Sequence, residues 1–298
     1  MTAVNDSMAR HTETQRLKWA LTISSVYFFA ELIAGFLTNS LALLSDAGHM
    51  LSDIGALGLS LFAFRVAKRP ATHHSTYGYH RIEILAALFN GLTLWLIVGV
   101  IFTSAYNRLF HPPVVESSGM IIVAVLGLMV NIAAAAILHS GHHHHNLNMR
   151  GAFLHVMSDA VGSVGAIAAG AIMLTTGWYV ADPLISMFIG VLILYSSGSL
   201  VKDSLSVLMQ SVPKGIQLDE VRQTIEAVDG VYKVHDLHVW AVTSDIYTLS
   251  AHAVVENGGD FHEVLNGIED TLKERFNIEH TTIQLETESR EDKEFKDF

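Results

Sequence analysis

The spacing of apolar residues along this chain predicts six long helices followed by a small mixed domain. Segments near the roughly 20 apolar residues that a helix needs to cross a bilayer recur at Leu17–Leu37, Ser40–Ala67, Ile84–Leu109, Ser118–Leu138, Gly151–Thr175 and Ala181–Val201. Beyond Lys202 the pattern changes. Leu218, Val221, Ile225 and Val228 follow helical spacing, closed by Asp229-Gly230. Val231–Val242 and Ile246–Val255 are rich in β-branched and aromatic residues and flank a short polar turn, Phe261–Phe276 is amphipathic, and Thr281–Leu285 reads as a last strand. The predicted fold class is an all-α six-helix transmembrane bundle plus an α+β domain of order αββαβ, a small sheet with helices on one face.

Charge sharpens the boundary. Of the 18 Lys/Arg and 29 Asp/Glu, residues 1–202 hold ten and nine, while residues 203–298 hold eight and twenty. An apolar, nearly neutral region therefore gives way to an acidic one, and the acidity argues against nucleic acid as a partner. The expected organisation is a cytoplasmic N-terminal segment 1–16, a membrane domain 17–202, a soluble domain 203–286 and an acidic tail 287–298. The first 16 residues lack the pattern of a cleaved signal, so the first apolar segment reads as a retained span. With the N-terminus inside, the inner flanks carry Arg10, Arg16, Lys18, Arg65, Lys68, Arg69, Arg81, Arg150 and Lys202, and the outer flanks only Arg108. That asymmetry predicts a multi-pass protein with both termini in the cytoplasm.

The informative residues are the polar ones inside the spans. His49-Met50-Leu51-Ser52-Asp53 in the second span and His155-Val156-Met157-Ser158-Asp159 in the fifth share the pattern H-x-x-S-D. Positions i and i+4 lie on one helical face, so each stretch presents an imidazole and a carboxylate together, near mid-membrane. Ionisable groups there cost on the order of 3 kcal/mol each and face partners or water. The two pairs either tie the bundle together by interhelical hydrogen bonds or jointly bind a metal; their duplication at similar depth favours the metal. Two nitrogens and two carboxylate oxygens suit tetrahedral zinc better than magnesium or calcium. Glu31, Asn90 and Asn131 either line a path to the site or serve packing, and Asp46 either stages release or is solvated at the outer mouth.

The chain has no cysteine and 17 histidines, so metal chemistry must rest on His, Asp and Glu. His142, His143, His144 and His145, in the loop 139–146, either capture metal at the inner mouth or belong to a polar linker. His73 and His74, between spans two and three, are a weaker candidate site. No H-E-x-x-H or G-x-S-x-G pattern supports an enzyme. In a metal sensor, the buried His/Asp pairs would serve no purpose.

At these residues the chain resembles the cation diffusion facilitator family, in its bacterial zinc-exporting branch. The resemblance rests on Ser45–His49 with Asp53, on Tyr77–Glu83, on His155 with Asp159, on Val234–Trp240 and on Thr282–Glu286. It implies a homodimer in the bacterial inner membrane that exchanges zinc ions for protons, with His49, Asp53, His155 and Asp159 as the transport site. Some members carry Asp in place of His49, and the family associates the histidine with zinc over cadmium. The resemblance further implies a metallochaperone-like (ferredoxin-like) cytoplasmic domain that dimerises, with a zinc site of His235, His252, His280 and Glu286. This chain has Gln284 where some members have His, and His238 or His262 would then stand in.

Overall fold

The computed structural model describes residues 22–23, 25–67, 69–139, 147–243, 246–257 and 260–287, without the side chains at 57, 60, 61, 64, 137–139 and 147–155. The expected segment before Thr22, the loop histidines 142–145 and the tail 288–298 lie outside the described residues. Six helices come first: α1 (Ser25–Thr38), α2 (Leu41–Ala67), α3 (Arg81–Phe110), α4 (Ser117–His139), α5 (Leu147–Thr176) and α6 (Ala181–Leu208). Then follow α7 (Leu218–Glu226), β1 (Val231–Thr243), β2 (Ile246–Val255), α8 (Phe261–Phe276) and β3 (Ile278–Glu286).

Among the described residues, four helices are long and apolar enough to cross a membrane: α3, α4, α5 and α6. In α2 the residues Asp46, His49 and Asp53 dilute a 27-residue helix that has the length to span. The chemistry that marks this helix as functional is the same chemistry that lowers its hydropathy. Helix α6 runs seven residues past the expected Val201, because Lys202 and Asp203 are compatible with a helix emerging from an apolar phase. It stops where Gln210 takes a positive φ, ahead of Pro213.

The described residues divide into two compact units, those up to Gly58 with those of Phe89–Ser199, and those of Leu59–Leu88 with those from Leu200 onward. In the first, α4 and α5 pack along each other. The core joins Leu43 of α2, Leu94 and Val98 of α3, Met120 and Ala124 of α4, Ala166, Ala169 and Met173 of α5, and Ile189 and Ile193 of α6. Small residues let the helices approach, as expected for bundles in lipid. A side chain at Gly190 of α6 would collide with Phe102 of α3.

A polar knot closes one end of this bundle. Ser40 caps α2, its Oγ accepting from the Leu43 N–H at 3.3 Å and donating to Asp182 Oδ1 at 2.7 Å. Asp182, in the first turn of α6 and fully buried, also accepts the Leu41 and Ala42 N–H groups at 2.8 and 3.1 Å. Arg108, near the end of α3, sits 3.5 Å from Asp182 and donates to the Asn39 carbonyl at 2.7 Å. One carboxylate thus neutralises the positive ends of two helices and a guanidinium.

The second unit holds a three-stranded sheet of order β1-β2-β3. β1 and β2 are antiparallel, whereas β2 and β3 are parallel, which requires the crossover supplied by α8. Asp260 caps α8, accepting from the His262 and Glu263 N–H groups, and Asn277 ends it in the left-handed conformation. Val221 and Ile225 of α7 and Ile268 and Leu272 of α8 pack onto Val239, Leu249, Ala251, Ala253 and Val255. One face of the sheet is therefore core, and residues 250, 252, 254, 284 and 286 belong to the other. Leu249 is fully buried; Leu249→Ala is expected to cost about 2–5 kcal/mol, read as a lowered melting temperature of the purified chain.

Candidate metal sites

The first site sits in the helix bundle. His49 Nε2 lies 3.8 Å from Asp53 Oδ2, one turn along α2, and 3.6 Å from Asp159 Oδ1 on α5. The side chains of His49 and Asp159 are 15% and 14% exposed and that of Asp53 32%, so the cluster is sheltered yet open to an ion at its Asp53 side. Ser52 Oγ donates to Asn90 Oδ1 of α3 at 2.9 Å, which ties the next residue of α2 to the bundle and fixes the rotation of the helix. His155 lies on α5 one turn before Asp159; its side chain is outside the described residues. An imidazole flanked by two carboxylates from different helices has the donor types and the small cage that a tetrahedral cation needs.

A second cluster lies on the sheet face opposite the helices. His235 of β1 and His252 of β2 are paired across the strands, with ring centroids 5.2 Å apart. Glu286 of β3 completes the group: Oε2 is 3.3 Å from His235 Nε2 and Oε1 is 3.1 Å from His252 Nδ1. Among the described residues, one donor atom from each of these three lies within 4.8 Å of the others. Glu286 is held in turn by Gln284 Nε2, which donates to Oε1 at 2.7 Å. His252 Nδ1 and Glu286 Oε2 are buried and close to their neighbours without hydrogen-bond geometry. Such convergence suits donors arranged around an ion, and the two imidazoles and a carboxylate fit zinc.

A bulge builds this cluster. Between His235 and His238 the register slips by one residue against β2, and Asp236 takes a φ of 47°, a conformation that aspartate tolerates better than most residues. The slip turns the Asp236 carboxylate toward His252 Nε2, at 3.8 Å, and lets it accept from or pair with His238 Nε2 at 2.9 Å. Asp236 is the residue that sequence reasoning passed over, and its signal was an acidic residue set among β-branched ones in the middle of a strand.

The other expected ligands lie apart. His280 is six residues before Glu286 on β3, about 20 Å along an extended strand, and its ring meets Tyr77 edge-on at 5.7 Å between centroids. His262 lies in the first turn of α8, and His238 is exposed with Asp236 as its partner. His73 and His74 are exposed in the turn between α2 and α3.

A helix bundle with buried imidazole and carboxylate groups, joined to a small domain with a His/His/Glu cluster, defines a membrane carrier of metal cations. The chain belongs to the cation diffusion facilitator family. A model of the cation efflux transmembrane domain matches residues 17–209, and a model of the cation efflux protein cytoplasmic domain matches residues 213–288. It is 46% identical over 267 residues to the "cadmium, cobalt and zinc/H(+)-K(+) antiporter" of Bacillus subtilis, covering 88% of this chain and 86% of that one. The metal cation efflux system protein CzcD of Cupriavidus metallidurans is 45% identical over 271 residues, 91% of this chain and 85% of that one. The zinc transporter ZitB of Pectobacterium atrosepticum is 38% identical over 291 residues, 97% of this chain and 91% of that one. A solved metal-bound C-terminal domain of CzcD is 40% identical to this chain, covering 24% of it and 99% of that domain, with a TM-score of 0.23. The chain is a multi-pass transporter for metal-cation efflux and not an enzyme.

Proposed function

We propose that this chain exports zinc from the cytoplasm in exchange for protons, as a homodimer in the bacterial inner membrane with both termini inside. The observation that carries the reading is the approach of His49 to both Asp53 and Asp159. His49, Asp53, His155 and Asp159 take zinc from the cytoplasmic side, the helices rearrange, and protonation from the far side releases it. Histidine suits the exchange, because neutral imidazole binds metal and imidazolium does not, and its ordinary pKa of about 6.5 lies within reach of cellular pH. The names of the relatives, which include zinc and protons, support this cargo and this coupling. The positive charges at Arg10 to Lys202, set against Arg108, support the orientation.

The test is zinc flux into vesicles of the reconstituted protein, measured with a pH gradient imposed, reversed and absent. Flux that follows the gradient in sign supports exchange, and flux indifferent to it rules the coupling out.

In this reading His235, His252 and Glu286 hold a resident zinc that braces the three strands. In an Asp53→Ala background, where the bundle site cannot contribute, free zinc at about 100 times its Kd is expected to stabilise the chain by about 2.7 kcal/mol. Adding His252→Ala is expected to remove that zinc-dependent rise in melting temperature.

A further inference from the structure

The stretch Tyr77–Glu83 and His280 take no part in either metal cluster, yet they meet in the second unit. Thr72 and Ser75 exchange backbone hydrogen bonds at 3.1 Å, and Gly78, at a φ of 71°, donates to the Ser75 carbonyl at 2.9 Å. The Ile82 and Glu83 N–H groups bond back to the Tyr79 and His80 carbonyls, so the turn runs into α3 without slack. Glu83 lies in the first turn of α3, where a carboxylate suits the positive end of a helix. The helix end does not account for its partner. Thr243, the last residue of β1, is 6% exposed and donates its hydroxyl to Glu83 Oε2 at 2.9 Å, across 160 positions of sequence. Burial makes such a hydroxyl depend on a protein acceptor. Tyr77 adds its ring contact with His280 of β3. Both fastenings fall at one end of the sheet. Thr243 is paired with Ile246 and His280 with Thr248, whereas His252 of the metal cluster is four residues further along β2, about 13 Å away.

The helix that Glu83 begins also reaches the bundle cluster. α3 is unbroken from Arg81 to Phe110, and the division between the two compact units falls inside it, after Leu88. Asn90 comes seven residues after Glu83, close to two turns and about 10 Å, so the two residues share one face of α3. Asn90 is 7% exposed and accepts from Ser52 Oγ at 2.9 Å, and Ser52 adjoins Asp53 of the bundle cluster. One helix therefore grips the sheet domain by its first turn and the ligand-bearing stretch of α2 two turns later.

We propose that Glu83 and Thr243 form a mooring that fixes α3 to the sheet domain, so that Asn90, through Ser52, holds Asp53 in place while ions are bound and passed on. Glu83 and Thr243 are positioning residues, and neither touches the ion. A helix can carry a displacement from one end to the other because its backbone bonds keep the turns in step. With the mooring cut, the start of α3 is free to shift, and the hold of Asn90 on α2 shifts with it. The inference rests on the reading of His49, Asp53, His155 and Asp159 as the transport site.

Zinc flux through the reconstituted full chain tests it. Thr243→Val keeps the side-chain shape and removes the donor, and flux is expected to fall at least about 5-fold, the lower end for coupling between separate sites. Thr243→Ser, which restores the hydroxyl, is expected to recover it. In an Asn90→Ala background, where the hold on α2 is already gone, Thr243→Val is expected to change the remaining flux by less than about 2-fold; distant residues acting independently would instead multiply their effects. Undiminished flux in Thr243→Val, an equal loss in the serine variant, or the same loss in both backgrounds would overturn the proposal. Glu83→Ala, at an exposed position, carries the same expectations should the valine variant not fold. Asp53→Ala separates the two readings. Flux lost in that variant but intact in Thr243→Val sinks only the mooring, and flux intact in Asp53→Ala sinks the transport site itself.

Discussion

Asp53→Ala is expected to lower zinc flux through the reconstituted transporter by roughly 100-fold or more, down to the leak of empty vesicles. Losing a residue that only supports a metal ligand costs about 10–100-fold, and Asp53 stands in the proposed cage itself, 3.8 Å from His49 Nε2. Its carboxylate is also the most accessible of the three described ligands, which places it where an ion would first be stripped of water. The fold should be indifferent to the change, since the side chain is about a third exposed and the core residues of α2 lie on its other faces. The assay therefore pairs flux with a melting curve. Lost flux with an unaltered melt supports the site, whereas flux near that of the wild type would move the path elsewhere in the bundle.

The second large effect is on stability. Asp182→Ala is expected to cost about 3–5 kcal/mol, the scale for removing one partner of a buried charged pair. The Ser40 hydroxyl and the Leu41 and Ala42 N–H groups would lose their acceptor at once, and Arg108 its nearest described carboxylate. Asp182→Asn, which keeps one acceptor oxygen but no charge, should fall between the alanine variant and the wild type. Thermal unfolding in detergent reads the series. Three coincident melts would mean that water replaces the carboxylate without loss.

Much of this molecule could be read from residue order because the bilayer leaves few options for an apolar segment. Helices α2 to α5 begin and end within about four residues of the expected positions, the start expected for the first span lies outside the described residues, and α6 differs because helix and membrane need not end together. The α+β domain was legible in its element order, since alternation and helical spacing differ clearly. The His49/Asp53 and Asp159 approach was legible because i, i+4 spacing fixes a helical face. The sheet cluster was legible only in part. His235, His252 and Glu286 are brought together by strand pairing, but a bulge and a parallel register decide that His280 is not beside them, and neither is encoded in a local pattern. Asp182 escaped notice for a related reason: its partners are 74 to 142 positions away in the chain.

The parallel pairing of β2 with β3 also governs how the domain is made. β1 and β2 can zip together as soon as both have been synthesised, bringing His235 and His252 face to face. Glu286 joins them only after α8 has been laid down and β3 has docked, since it is the final residue of the final strand. A ribosome working along this message therefore produces a two-histidine half-site first and a full set of three donors only when the sheet is whole. In the proposed reading, tight zinc binding by the three donors would thereby report that this sheet has been completed.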